Sequence, residues 1–295
     1  MSGKKKTQIR KITTINLIKN VILYTVAVIL ALVIIIPFLW VIDTALKEYS
    51  LTLRYPPEWI LFKPKLWNPE NFSDVIKKYS LVTFYINSLI VATIEVISTI
   101  AMSSLAGYAF AKLKFRGRDI LFLIILGTMT VPFQVYMVPV YVFVVKLMWV
   151  NTYQGRVLPY LLSGFSVFMM RQFMRQIPDE LIDAARIDGC SEFQIYRKII
   201  LPLIKPAIAT VTVYAFMTSW NEFIWSSIVL RRTQMLTLPI AIMQIYAGYG
   251  SAYQFTPYWN YVMAAILLAV APSIVVFVAL QKWFVRGITL QGLKG

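Results

Sequence analysis

Apolar residues run along this chain in long blocks, not in the narrow stripes of a soluble amphipathic helix. A helix needs about 20 apolar residues to cross a bilayer core of about 30 Å, and six blocks approach or exceed that length. They fall at about 21–42, 85–111, 120–145, 157–174, 206–228 and 259–282. The fourth is short and ends in Met169-Met170-Arg171, so an interfacial segment is the alternative there. The expected fold is all-α, a polytopic membrane protein of about six transmembrane helices. It divides into a basic head (1–20), a membrane domain (21–282) holding a polar insert (175–205), and a tail (283–295).

The polar insert reads as two helices. Pro178 suits a first helical position, and Asp179 and Glu180 complement the positive N-terminus. Leu181, Ala184 and Ala185 share one narrow, small-residue face, and Gly189 suits a left-handed cap. Ser191 and Gln194 fit a capping box, so a second helix starts at once, with Phe193, Tyr196 and Ile200 on one face. Pro202 and Pro206 bound its exit. Amphipathicity alone allows such a pair to lie on the inner leaflet. Two outer loops are long. The first (43–84) is dense in proline, with Trp59 and Trp67, and reads as a short ordered cap. The second (229–258) ends in a Gly/Tyr stretch with Tyr246, Tyr249 and Tyr253, which suits contact with a partner or sugar, or an interfacial aromatic belt.

Composition narrows the function. Of the 295 residues 59% are hydrophobic, and the mean hydropathy is +0.68. A formal charge of +16 would suggest nucleic acid for a soluble chain, but here placement matters more. Nineteen of the 29 Lys and Arg fall in the predicted inner segments, densest between Lys112 and Asp119, which puts both termini in the cytoplasm and argues for no nucleic acid. The run Val21 to Ile42 is too long for a cleaved signal, and no clear A-x-A site follows it. Cys190 is the sole cysteine and histidine is absent, so there is no intrachain disulfide, no Cys-built metal site and no His base. No phosphate-binding loop occurs; if transport uses ATP, another chain hydrolyses it. Glu95 falls inside the second apolar block, and Asn221 and Glu222 inside the fifth. A carboxylate in hydrocarbon costs roughly 2.5–3.5 kcal/mol on insertion scales, so these line a solute path or bond between helices or subunits, the latter being the plainer reading for Glu95.

The insert's spacing carries a resemblance. Ala184-Ala185, three residues, Gly189, nine residues, then Ile199-x-Leu201-Pro202 is similar to the EAA loop of ABC importer permeases. Asp183 stands where that family usually has Glu, and Cys190 where Ala is common. Asn87-Ser-Leu-Ile-Val-Ala, the run Ala106 to Arg118, Trp220-Asn-Glu-Phe223, Leu236-Thr-Leu-Pro239 and the C-terminus also resemble the carbohydrate-uptake group, in particular its MalG-like subunits. The resemblance implies a type I ABC importer permease fold in a bacterial or archaeal cell membrane. It implies that Asp183, Ala184, Ala185, Gly189, Ile199, Leu201 and Pro202 couple the chain to an ATPase. Asp183 would pair with a basic ATPase residue, the alanines allow close approach, and Gly189 sets the angle. The tail (Gln291, Gly292, Leu293, Lys294) would contact the ATPase or else fray, and the Tyr246–Phe255 stretch would meet the binding protein. The implied partners are a second permease chain, an ATPase dimer binding ATP and Mg, an extracytoplasmic solute-binding protein and membrane lipid; this chain would hold no cofactor and perform no catalysis. A proton-coupled secondary carrier titrating Glu95 and Glu222 is the alternative, as is glycerol-phosphate import.

Overall fold

The structure, a computed structural model, describes the backbone of residues 2–248 and 257–292, and the side chains of residues 19–248 and 257–283. All regular structure among these residues is helical. In chain order the helices are α1 (Ser2–Ala45), α2 (Glu70–Lys78), α3 (Leu81–Lys112), α4 (Arg118–Thr128), α5 (Phe133–Lys146), α6 (Gly164–Arg175), α7 (Asp179–Ile187), α8 (Glu192–Ile195), α9 (Lys205–Trp220), α10 (Ile224–Val229), α11 (Leu238–Tyr246) and α12 (Trp259–Gly292).

Three helical segments are long and apolar enough to cross a membrane unbroken: Lys19–Ala45, Leu81–Lys112 and Trp259–Trp283. The other expected spans are broken. The third is the pair α4 and α5, bent by 99°. Pro132 sits at the break with ψ 140°; it has no N–H to continue a helix and biases the residue before it away from the α region. The fourth expected span is the 12-residue α6, preceded by short turns at Tyr153–Val157 and Leu158–Tyr160. At 1.5 Å per residue it reaches about 18 Å, short of a bilayer core. The fifth stops at Trp220 and resumes at Ile224. A second bent pair, Glu192–Leu203 with Lys205–Trp220, turns by 79°, so among the described residues three helices are long and apolar enough to span, or up to five if each bent pair is one span.

α3 is the central post. It packs against α6 and α9, α9 packs against α12, and α12 carries α1 and α2. Gly107 allows the close approach of α3 to α6: a Cβ there would lie 2.7 Å from Met170 Cβ. One apolar core surrounds Phe84, Trp220 and Trp225, and a second surrounds Met170, Met174, Ile195 and Ile200. The large apolar side chains of α1 from Val21 to Phe38 are left uncovered. The proline-rich first loop does fold as a cap. Asp43 Oδ1 accepts the Ile60 and Leu61 N–H groups at 2.7 Å each, Lys47 closes on Asp43 Oδ2 at 2.6 Å, and Asn71 bridges from the Ala45 and Lys47 carbonyls to Asn260.

Candidate functional site

The polar insert folds as α7 and α8, joined by a tight turn. Gly189 has φ +80°, Cys190 N–H donates to Ala185 O at 3.0 Å, and Gly189 N–H donates to Arg186 O at 3.0 Å. This is the Schellman arrangement, which needs a residue at ease in the left-handed region. Ser191 and Gln194 form the full capping box, at 3.3 and 2.8 Å. After α8 a π turn spans Tyr196–Ile200, where Leu201 N–H reaches Tyr196 O. Pro202 offers no N–H for the next rung, and the chain bends into α9.

The apolar faces differ from those expected. Ile182 and Ala185 point inward, while Leu181, Ala184 and Ile187 face out, with Leu181 49% and Ile187 86% exposed. The larger Ile182 takes the core place, three residues before Ala185, so the predicted Leu181–Ala184–Ala185 face is divided. On the second helix Tyr196 and Ile200 are buried but Phe193 is 63% exposed, because Ile195 fills the core instead. The result is an apolar knob of Leu181, Ala184, Ile187 and Phe193. Asp183 beside it pairs within the chain: Arg186 holds Asp183 at 2.9 Å and Glu192 at 2.8 Å, tying α7 to α8. Of the remaining motif residues, Ile199 and Leu201 are half-buried and Pro202 is exposed.

α3 grips this pair along one face. Ser104 Oγ and Tyr196 Oη are 2.7 Å apart. Tyr108 Oη donates to Glu192 Oε2 at 2.5 Å. Lys112 Nζ donates to Ile177 O and to Asp179 Oδ1, at 2.5 and 2.6 Å. The three α3 residues are four apart, which places them one above another on a helix. The Lys112 hydrogen bond holds the Asp179 carboxyl below the usual range, and Arg186 and then Tyr108 do the same for Glu192.

Higher on α3, Glu95 meets a residue that the charge pattern had placed in an outer loop. Arg156 is fully buried; Nη1 donates to Glu95 Oε1 at 2.6 Å, Nη2 lies 3.4 Å from Glu222 Oε2, and Nε donates to Ser226 Oγ at 2.6 Å. Its guanidinium covers the Tyr160 ring at 5.1 Å. Burial inside a polar network, and not an aqueous loop, is what this Arg occupies. Glu222 in turn starts α10, accepting the N–H groups of Trp225 at 2.6 Å and Ser226 at 2.9 Å. The cluster therefore joins α3, the Tyr153–Val157 turn and the break between α9 and α10. A cavity of about 840 Å³ opens beside Glu95, lined also by Thr99, Tyr136, Tyr160, Tyr214 and Thr218, and by no Lys or Arg.

Asn221 does not join Glu222. It is exposed, donates to Met217 O at 2.9 Å, and lines a separate apolar groove of about 600 Å³ that also contains Tyr246. Tyr249, Tyr253, Leu293 and Lys294 lie outside the described residues, and of Gln291 and Gly292 only the backbone is described. Among the described residues no group of three or more His, Cys, Asp or Glu could hold a metal ion. Arg156, Ser104, Tyr108, Lys112 and Glu192 were not singled out from sequence. The signal for the α3 residues lies in two sets of polar side chains, Glu95, Thr99 and Ser103, then Ser104, Tyr108 and Lys112, each set spaced four apart in an apolar run.

Residues 99–290 match the family described as binding-protein-dependent transport system inner membrane component. The chain is 34% identical over 267 residues to the arabinooligosaccharides transport system permease protein AraQ of Bacillus subtilis, covering 90% of this chain and 92% of AraQ. It is 36% identical over 202 residues to the sn-glycerol-3-phosphate transport system permease protein UgpE of Brucella melitensis, covering 68% and 70%. Its fold matches a chain of a bacterial ABC transporter that imports the acidic polysaccharide alginate, with a TM-score of 0.77 at 22% identity, over 90% of this chain and 96% of that one. The knob, the post that grips it and the broken spans are thus parts of a multi-pass transport permease, and the chain belongs to the binding-protein-dependent transport system inner membrane component family.

Proposed function

We propose that this chain is one of two permease subunits of an ATP-driven importer of a sugar or oligosaccharide. The observation that carries the coupling is the apolar knob of Leu181, Ala184, Ile187 and Phe193, held out from a pair fixed to α3 by Tyr108 and Lys112. Large apolar side chains left uncovered on a rigid helix pair suit a partner's cleft. An ATPase dimer occupies them, binds ATP and Mg, and performs the hydrolysis, while this chain is non-catalytic. Asp183 and Arg186 rim the knob and meet charged groups of that partner. Ile199, Leu201 and Pro202 carry the motion into α9, because the π turn and the 79° bend lie between the knob and that helix. Both termini and the knob face the cytoplasm. The tail (Gln291 to Lys294) reaches toward the ATPase, and the Tyr246–Tyr253 stretch meets an extracytoplasmic solute-binding protein.

A neutral sugar is favoured over glycerol phosphate. The 840 Å³ cavity presents hydroxyls, aromatic rings and one carboxylate but no cation in its lining, which suits polyhydroxylated solutes and not a phosphate. Glu95 and Glu222 act as structural partners of Arg156 and not as proton carriers. The test deletes the gene in its host and measures uptake of labelled arabino-oligosaccharide, maltose, lactose and glycerol phosphate. Loss of one saccharide, restored by the wild-type chain but not by a Leu181→Ser/Ile187→Ser/Phe193→Ser variant that inserts normally, is the expected result. Loss of glycerol phosphate uptake alone overturns the sugar assignment. Restoration by the triple variant overturns the docking role of the knob.

A further inference from the structure

At the inner end of α3 lies a pocket of about 490 Å³ whose arginines the transport reading does not use. Lys112, Arg118, Asp119, Arg171, Arg175 and Asp179 line it. Two of its four cations are matched inside the chain, Lys112 by Asp179 at 2.6 Å and Arg118 by Asp119 at 3.2 Å. Arg171 is fixed differently. Its Nε donates to Phe110 O at 3.2 Å and its guanidinium lies 3.8 Å over the Phe122 ring. Among the described residues neither Arg171 nor Arg175 has a carboxylate within ion-pair distance, and they stand four apart on α6, where like charges repel. The pocket thus holds two unneutralised guanidinium groups, one of them pre-oriented by a ring and a carbonyl. That is a site for an anion with several oxygen acceptors.

The surroundings specify which anion. The pocket sits where the apolar α3 ends and the apolar α4 begins. From its rim α4 exposes Ile120 (67%), Leu121 (48%), Leu123 (64%) and Ile124 (59%). A second opening of about 490 Å³ shares Arg118 and Asp119 and adds Lys114, Phe115 and Ile120. Cations at the membrane boundary, continuous with a lipid-width apolar face, match a phosphate attached to acyl chains. We propose that this corner binds the headgroup phosphate of an anionic phospholipid, with Arg171 and Arg175 as its principal ligands and the acyl chains along Ile120 and Leu123. Lys112 links the pocket to Asp179 at the start of α7, so lipid occupancy bears on how firmly the coupling pair is seated.

The experiment is native mass spectrometry of the full chain in detergent, with phosphatidylglycerol, phosphatidylcholine or inorganic phosphate added. Wild type retains phosphatidylglycerol over phosphatidylcholine, and R171Q/R175Q lowers that retention roughly tenfold or more, while R231Q/R232Q, an equal charge loss on the outer side, does not. Because Arg171 also packs on Phe122, R175Q alone is measured and keeps the wild-type thermal midpoint while losing part of the retention. Equal retention of both lipids by wild type overturns the proposal. So does unchanged phosphatidylglycerol retention in folded R171Q/R175Q. Displacement of the lipid by millimolar inorganic phosphate reassigns the site to a free anion and overturns the lipid claim. Loss of ATPase association in R175Q without any change in lipid retention reassigns it to an acidic partner surface and overturns it equally.

Discussion

Arg156 Nη1 donates to Glu95 Oε1 at 2.6 Å, with 0% and 2% of the two side chains exposed. The pair joins the centre of α3 to a short turn more than sixty residues later, and Glu222 draws the broken end of α9 into the same network. A buried ion pair is weak evidence of net stability, since desolvation offsets its attraction. Breaking it from one side is another matter. Arg156→Met leaves Glu95 buried and unpaired and is expected to cost about 3–5 kcal/mol. Arg156→Met with Glu95→Leu restores most of that loss, because Glu222 keeps the Trp225 and Ser226 donors. Thermal unfolding midpoints in detergent measure both. A double variant no more stable than the single one is the result that contradicts an intramolecular role.

The grip of α3 on α7 and α8 is testable one contact at a time. Tyr108→Phe removes a hydrogen bond to a charged acceptor, worth about 1.5–3 kcal/mol, while Glu192 keeps Arg186. The expected outcome is a thermal midpoint lowered by a few degrees, with faster hydrogen exchange across Glu192–Ile195. ATP hydrolysis by the assembled complex then responds less to solute. Unchanged exchange in that segment contradicts the idea that α3 seats the pair.

How much of this was legible in the sequence depends on range. The Gly189 turn and the Ser191–Gln194 box were readable because each is set by residues within a turn of one another. The count of unbroken spans was not. Hydropathy sums over a window and does not register that Pro132 bends α4 from α5, or that Glu222 ends one helix by starting the next. Phe193 looked like a core residue because period alone cannot say which of several apolar neighbours fills the core, and Ile195 took the place. Arg156 was the hardest to place. Its partners are 61 and 66 residues away, and charge placement treats every Arg near a span edge as solvated. The Ser104–Tyr108–Lys112 stripe was visible as a pattern, but what it held became evident only with α7 and α8 beside it.

The two acids that seat the pair set its pH response. Lys112 holds the Asp179 carboxyl below its ordinary range, and Arg186 with Tyr108 does so for Glu192. A carboxylate lowered in the folded state contributes stability above its unfolded pKa, about 3.9 for Asp and 4.3 for Glu, and loses it as pH falls through the lowered value. The seating is therefore expected to be flat from about pH 6 to 8 and to weaken only in acid, below those carboxylate values. Hydrogen exchange of α7 and α8, corrected for its intrinsic pH dependence, measures this. Protection that falls between pH 8 and 6 contradicts the assignment of these two acids.

Gly189 offers the sharpest separation of folding from coupling. Its φ of +80° closes the turn between α7 and α8, and open space surrounds it, so backbone conformation alone is at stake there. Gly189→Asn is expected to be nearly silent, since Asn visits the left-handed region readily. Gly189→Ala carries a strain of roughly 1–2 kcal/mol, confined to the turn. Gly189→Pro cannot take a positive φ and also loses the N–H that bonds Arg186 O, so α8 must leave α7 at a different angle. The knob is built from both helices, with Leu181 and Ile187 on one and Phe193 on the other, and a changed angle separates them. The Pro variant should therefore insert at normal yield with its spans intact, yet lose solute-stimulated ATP hydrolysis in the assembled complex by roughly tenfold or more. The Asn variant should keep that stimulation. If Gly189→Pro transports at the wild-type rate with a normal yield of complex, the angle between these helices does not carry the coupling.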